Sequence, residues 1–217
     1  MNSRLHPLLL AIIITMSAIT GVPATTRYVD VTSASPAAPY TNWATAARTI
    51  QDAIDAAAAG DEVVVTNGVY ATGGRAVYAT MINRVAVTKA LTVRSVNGPE
   101  VTVIRGYQVP GWTHGDGAVR CVYLTSGAAL VGFTLTNGAT LIPGDIDGVR
   151  GGSGGGVWCE STNATVADCL VKGNSARFAA GGAYSGTLNH CTLTGNSADY
   201  GGGAGKADRP HGKIARR

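Results

Sequence analysis

Near the C-terminal end of the chain one segment occurs twice, 22 residues apart. Asp168-Cys169-Leu170-Val171-Lys172-Gly173-Asn174-Ser175-Ala176 returns as His190-Cys191-Thr192-Leu193-Thr194-Gly195-Asn196-Ser197-Ala198. Each copy leads into a glycine cluster, Gly181-Gly182-Ala183 and then Gly201-Gly202-Gly203-Ala204. A unit this short cannot bury an apolar face by itself. Stacked on copies of itself it can, and a fixed period in the low twenties is how a solenoid is written into a sequence.

The rest of the chain reads in the same terms. From Asp61 onward, runs rich in Val, Ile, Leu, Thr and Tyr predict strands at Glu62–Thr66, Val85–Thr88, Leu91–Ser95, Val101–Arg105, Arg120–Thr125 and Leu130–Thr136. Turn signals such as Asn67-Gly68, Asn97-Gly98-Pro99 and Asn137-Gly138 divide them, so an antiparallel sandwich of hairpins has to be weighed. The offsets argue against it. Leu130-Val131-Gly132-Phe133, Val166-Ala167-Asp168-Cys169 and Leu188-Asn189-His190-Cys191 align at spacings of 36 and 22, with residues 139–153 as an insertion between the first two. The apolar positions shift phase inside each unit, which implies a corner between two strands. The predicted class is therefore all-β, a parallel β-helix with like residues about 4.8 Å apart on successive rungs.

Upstream, Tyr28–Val31 reads as a strand and residues 44–59 as the one amphipathic helix, capped by Asn42 or Thr41 and stopped at Gly60. Its apolar face would carry Trp43, Ala46, Ala47, Ile50, Ala53, Ile54 and Ala57, and its polar face Arg48, Gln51, Asp52 and Asp55. Residues 1–24 have the form of an export signal: Arg4 and His6, an apolar run from Leu8 to Ile19, then Val22-Pro23-Ala24. The run is too short for a membrane span, which needs about 20 apolar residues. The organisation is thus 1–24 signal peptide, 25–60 strand and capping helix, 61–204 coils, and 205–217 a basic tail outside the repeat. The abrupt loss of the repeat at Gly205 carries the expectation of a truncated or frame-shifted reading frame. The tail holds Lys206, Arg209, Lys213, Arg216 and Arg217 against Asp208, which accounts for the whole formal net charge of +4. No basic stripe with interleaved aromatics follows the repeats, so nucleic acid is not an expected partner.

Thr49-Ile50-Gln51-Asp52-Ala53-Ile54-Asp55-Ala56, followed by Gly60-Asp61-Glu62-Val63-Val64-Val65 and Gly68-Val69-Tyr70, resembles the opening of right-handed parallel β-helix proteins of the pectin-lyase-like superfamily. The later units, with Gly-Gly-Ala and Leu193-Thr194-Gly195-Asn196, are similar to the repeats of polymorphic outer-membrane-type surface proteins, with Leu193 or Val171 where that motif begins with Phe. The resemblance covers roughly residues 27–204. It implies a right-handed solenoid whose N-terminal end is closed by the helix, and an extracellular or cell-surface setting. It leaves activity open, because lyases, hydrolases and adhesins share the fold.

Glycoside cleavage would need two acids within about 5–10 Å, which in a solenoid means carboxylates one coil apart. Asp168 instead matches His190, and Asp199 matches Arg177, so neither is an acid pair; Asp168 and His190, at one corner of adjacent coils, are expected to form a surface ion pair. Asp145 and Asp147 in the insertion, beside Arg150, are the weak candidates for a Ca²⁺ site, although the further ligands of an EF-hand loop are absent. His114, Asp116 and Trp112 share a loop, and with Tyr107 and Tyr123 could offer aromatic platforms to sugar rings. Cys121, Cys159, Cys169 and Cys191 permit two disulfides, or stack as small apolar residues; Cys169 with Cys191, and Cys121 with Cys159, are the expected neighbours. Asn163-Ala164-Thr165 matches a glycosylation sequon. No catalytic residue and no cofactor is assigned. The expected function is a secreted or cell-surface, non-catalytic, adhesin-like scaffold with polysaccharide as partner. The alternative is the N-terminal part of a polysaccharide lyase or glycoside hydrolase on the same fold.

Overall fold

The computed structural model describes residues 23–142, 148–205 and 208–211. The signal-peptide reading of residues 1–24 falls almost wholly outside them, and Asp145 and Asp147 do so entirely.

Among the described residues three sheets run up the molecule, each taking one strand from each of five coils, and Ser175–Ala179 pairs with Ser197–Tyr200 in a fourth, two-stranded sheet. The first runs Thr26–Val29, Glu62–Val65, Thr92–Ser95, Ala129–Val131, Thr165–Ala167, Thr187–Asn189 and Asp208–His211. The second runs Gly68–Tyr70, Thr102–Arg105, Thr134–Thr136, Leu170–Lys172 and Thr192–Thr194. The third runs Met81–Val87, Val119–Leu124, Val157–Cys159, Ala183–Tyr184 and Ala204–Gly205, with Arg75–Tyr78 added antiparallel at its N-terminal edge. Every other strand pair is parallel, which excludes the antiparallel sandwich. The repeat offsets appear as register: Ala129 pairs with Thr165, 36 residues on, and Thr165 with Thr187, 22 on.

Register also builds the core. Val63, Val93, Leu130, Val166 and Leu188 form one column on the first sheet. Ile104, Leu135, Val171 and Leu193 form another on the second. Val85, Val122, Val157 and Ala183 form a third. All are buried in one continuous cluster. Each large aliphatic side chain removed from water contributes about 1.5–3 kcal/mol, so in-register stacking is what the unit was missing.

The corner predicted inside Leu130–Thr136 sits at Gly132, whose φ is +81°; Asp168 (+51°) and His190 (+49°) take the left-handed turn at the same place one and two coils on. The glycine clusters have a steric cause. A Cβ on Gly155 would lie 2.2 Å from the Ser175 carbonyl oxygen, and one on Gly181 2.1 Å from that of Ser197. Here two stretches of backbone pass too closely for any side chain between them.

The N-terminal helix is shorter than the sequence pattern suggests. A 3₁₀ turn at Trp43–Thr45 is capped by Asn42, and the α-helix proper is Ile50–Ala56, capped by Thr49. Between them Ala47 bridges to Val29, and Asp61 takes the amides of Thr25 and Ala58, so the chain leaves the helix early to pair with the first coil. Ile50 and Ile54 enter the core as expected, but Trp43 is 46% exposed. Gln51, expected on the wet face, is buried and exchanges hydrogen bonds with the backbone of Ala86. Beyond Gly205, Asp208–His211 pairs with Thr187–Asn189 and extends the first sheet. Among the described residues no helix is long and apolar enough to cross a membrane.

Candidate functional site

The described part of the insertion does not project from the molecule. Gly148–Gly152 is a short helix packed against Ser175–Ala179, over the outer surface of the third sheet. Ala86, Tyr123, Trp158 and Tyr184 occupy one outward column there, with Trp158 and Tyr184 stacked 4.3 Å apart and 2° from parallel. Arg120 fastens the cover. It is fully buried, and its guanidinium donates to the carbonyls of Gly154, Arg150 and Ser153 and to Asn83 Oδ1. Tyr123 therefore belongs to a buried outer cluster, not to an exposed sugar platform.

The open surface lies on the second sheet and the loop that leaves it. In the register of this sheet Arg105, Thr136, Lys172 and Thr194 form one outward row, and Val103, Thr134, Leu170 and Thr192 a parallel one. A shallow groove of about 590 Å³ runs over Thr134, Thr136, Leu170, Lys172 and Thr192. It is continuous through Thr136 with a second of about 520 Å³ lined by Arg84, Arg105 and Tyr107. A third, about 410 Å³, is lined by Trp112, His114, Gln108, Ser175 and Ser197.

Residues 106–118 form the wall of this surface. Val109 pairs with Thr113 across a tight turn, with Gly111 and Thr113 at positive φ, and this lifts Trp112 to 78% exposure. Tyr107, at the base, is 43% exposed. The loop is held down by Gln108 Nε2 donating to the Gly173 carbonyl (2.9 Å) and by the Gly115 amide donating to Thr140 (3.2 Å). His114 Nε2 lies 2.8 Å from Ser175 Oγ, which lies 2.9 Å from Ser197 Oγ. Burial, and then the nearby Arg177, lower the His114 pKa below its usual value. His114 Nε2 and the two serine hydroxyls form one hydrogen-bonded chain, whose direction follows the imidazole tautomer. His114 Nδ1 has no hydrogen-bond partner among the described residues, and Asp116 is exposed in the same loop.

Beneath the grooves runs a polar ladder built from the repeated Gly-Asn-Ser. Asn174 Oδ1 accepts from the Gly138 amide (2.8 Å) while its Nδ2 donates to the Leu135 carbonyl (2.9 Å). One rung on, Asn196 Oδ1 accepts from the Asn174 amide (3.0 Å) and its Nδ2 donates to the Val171 carbonyl (2.8 Å). The recurrence of Gly-Asn-Ser at one offset was the available signal.

The paired charges fall as expected. Asp168 Oδ1 and His190 Nδ1 are 3.7 Å apart at the solvent-exposed corner of adjacent coils, and Arg177 pairs with Asp199. Among the described residues no group of His, Cys, Asp and Glu is arranged to hold a metal. All four cysteines are buried free thiols. Cys169 and Cys191 are register neighbours as predicted, but Cys121 aligns with Gly156, and Cys159 with Leu124, so the second expected pair does not form. Burial pushes the Cys121 and Cys159 thiols up to about 12, well out of the range of a reactive thiolate. Asn163 of the sequon is exposed, just before the strand at Thr165. No family model matches the chain, and no curated protein or solved structure matches it.

Proposed function

We propose that this protein is an extracellular or cell-surface β-helix scaffold, of the pectin-lyase-like kind, that binds polysaccharide along the outer face of its second sheet without cleaving it. The observation that carries the reading is the exposure of Tyr107 beside the grooves over the second sheet and of Trp112 beside the groove lined by Gln108, Ser175 and Ser197. Aromatic rings on a rigid support offer apolar faces to the C–H faces of sugars, and the rows of hydroxyl, guanidinium and ammonium groups meet sugar oxygens. A rung spacing of about 4.8 Å repeats these groups along a line, which suits an extended polymer better than a compact metabolite.

The test is a binding screen of the purified chain against immobilised neutral and acidic polysaccharides, followed by titration of the best binder. Trp112→Ala should weaken that binding about tenfold or more, near 1.4 kcal/mol, with an unchanged melting temperature. Polysaccharide cleavage by the wild-type chain, or unaltered binding by the variant, would overturn the proposal.

A further inference from the structure

Cys169 and Cys191 hold equivalent positions on adjacent coils. Each follows a left-handed corner residue, Asp168 (φ +51°) and His190 (φ +49°), and each precedes a residue of the paired strands, Leu170 opposite Thr192. Both side chains are buried in the core. The Thr192 amide donates to the Cys169 carbonyl (2.9 Å), so the backbone fixes the two rungs against each other at this point. Cys169 Sγ donates to the Ala167 carbonyl (3.1 Å), and Cys191 Sγ lies 3.3 Å from both the Asn189 and the Val166 carbonyls. These are weak contacts that a turn about χ1 can give up. The two thiols are also within hydrogen-bonding reach of one another. A rung spacing of about 4.8 Å falls inside the 4.4–6.8 Å Cα separation that a disulfide spans.

The other two thiols are placed differently. Cys121 Sγ is held at the Thr136 carbonyl (3.2 Å) and Asn174 Oδ1 (3.4 Å), and Cys159 has Leu124 as its register partner. We propose that Cys169 and Cys191 form a dithiol site, which a low-molecular-weight disulfide oxidises to a cross-rung disulfide clasping the coil from Thr187 to the coil beneath it. The hydrogen bond from Cys169 holds the Cys191 thiol below its usual value, whereas burial holds Cys169 above its own, so Cys191 is the attacking sulfur. Its thiolate displaces one thiolate from the external disulfide and leaves a mixed disulfide on Cys191. Cys169 then loses its proton, attacks the Cys191 sulfur and expels the second external thiolate. Two protein thiols are oxidised to one disulfide, and one external disulfide is reduced to two thiols. The bond closes a loop of 22 residues and restricts the unfolded chain accordingly. The inference is independent of the polysaccharide reading, since it uses the core and not the outer face of the second sheet.

The test is incubation of the folded chain with oxidised glutathione, followed by alkylation in urea and tryptic mapping by mass spectrometry. Trypsin cuts after Lys172 and Arg177, between the two cysteines, so the bond appears as two linked peptides that dithiothreitol separates. Two of the four thiols should resist alkylation, and the melting temperature should rise by about 5 °C or more over the reduced chain. Cys191→Ser should abolish the linked peptides and the rise, while Cys121→Ser should retain both. Four alkylatable thiols after oxidation, a link through Cys121 or Cys159, a mixed disulfide that stays unresolved on Cys191, or a Cys169–Cys191 link formed only in urea would overturn the proposal.

Discussion

Single residues decide how this chain is wound. Gly181 sits where a Cβ would lie 2.1 Å from the Ser197 carbonyl oxygen, a distance no packing adjustment of a side chain relieves because the obstacle is backbone. Gly181→Ala should lower unfolding stability by about 1–3 kcal/mol or more, read from the urea midpoint. Gly203→Ala, which faces open space, should change it far less. His114 makes a different kind of test. Its pKa is depressed in the folded chain, by burial first and Arg177 second, so below about 6.5 the unfolded state takes up a proton that the folded state resists. Stability attributable to His114 is present above that pH and falls as the pH drops through 6.5 towards the folded value. His114→Gln should therefore make stability measured at pH 7.5 and at pH 5 more nearly equal than in the wild type.

At the scale of elements, the polar ladder and the apolar columns divide the work. The columns supply the driving force and are tolerant of exchange among Val, Leu and Ile. The ladder sets register, because each Asn amide group meets a backbone carbonyl of the coil below and an amide on the same path. Slipping one rung by a residue would bury those groups unpaired, at about 1–3 kcal/mol each. Asn174→Ala removes the side-chain bonds to Gly138, Leu135, Asn196 and Cys121 in the middle of the stack and should destabilise the chain by about 2–4 kcal/mol. Asn196→Ala, on the last rung and half-buried, should have a smaller effect on the same denaturation curve.

For the molecule as a whole, stability in a solenoid is close to a sum of coils and the interfaces between them. The coils between Val119 and Lys172 are sandwiched by neighbours on both sides, and Arg120 ties the insertion to them; among the described residues the coil from Thr187 to Gly205 has its second-sheet strand at an edge. Native-state hydrogen exchange should therefore show amides of Leu130–Thr136 protected more strongly than those of Thr192–Thr194, with a gradient along the axis. A uniform, all-or-none pattern would mean that the coils unfold as one unit.

What the amino-acid sequence determined alone was everything that depends on periodicity: the parallel solenoid, the 36- and 22-residue register, the corner at Gly132, and the meeting of Asp168 with His190 and of Arg177 with Asp199. Equivalent residues in a stacked repeat become neighbours by arithmetic. Contacts between non-equivalent residues carry no such periodic signal. Tyr123 reads like Tyr107 in the sequence, yet one lies under the insertion and the other faces solvent, because the fold of residues 148–152 and the buried Arg120 decide which surface is covered. Gln51 is pulled from the polar face of its helix by the Ala86 backbone, and the Asn of Gly-Asn-Ser acts as a ladder only where a second copy stacks on the first. Those outcomes belong to the tertiary structure, which settles burial and the pairing of polar groups across the coils.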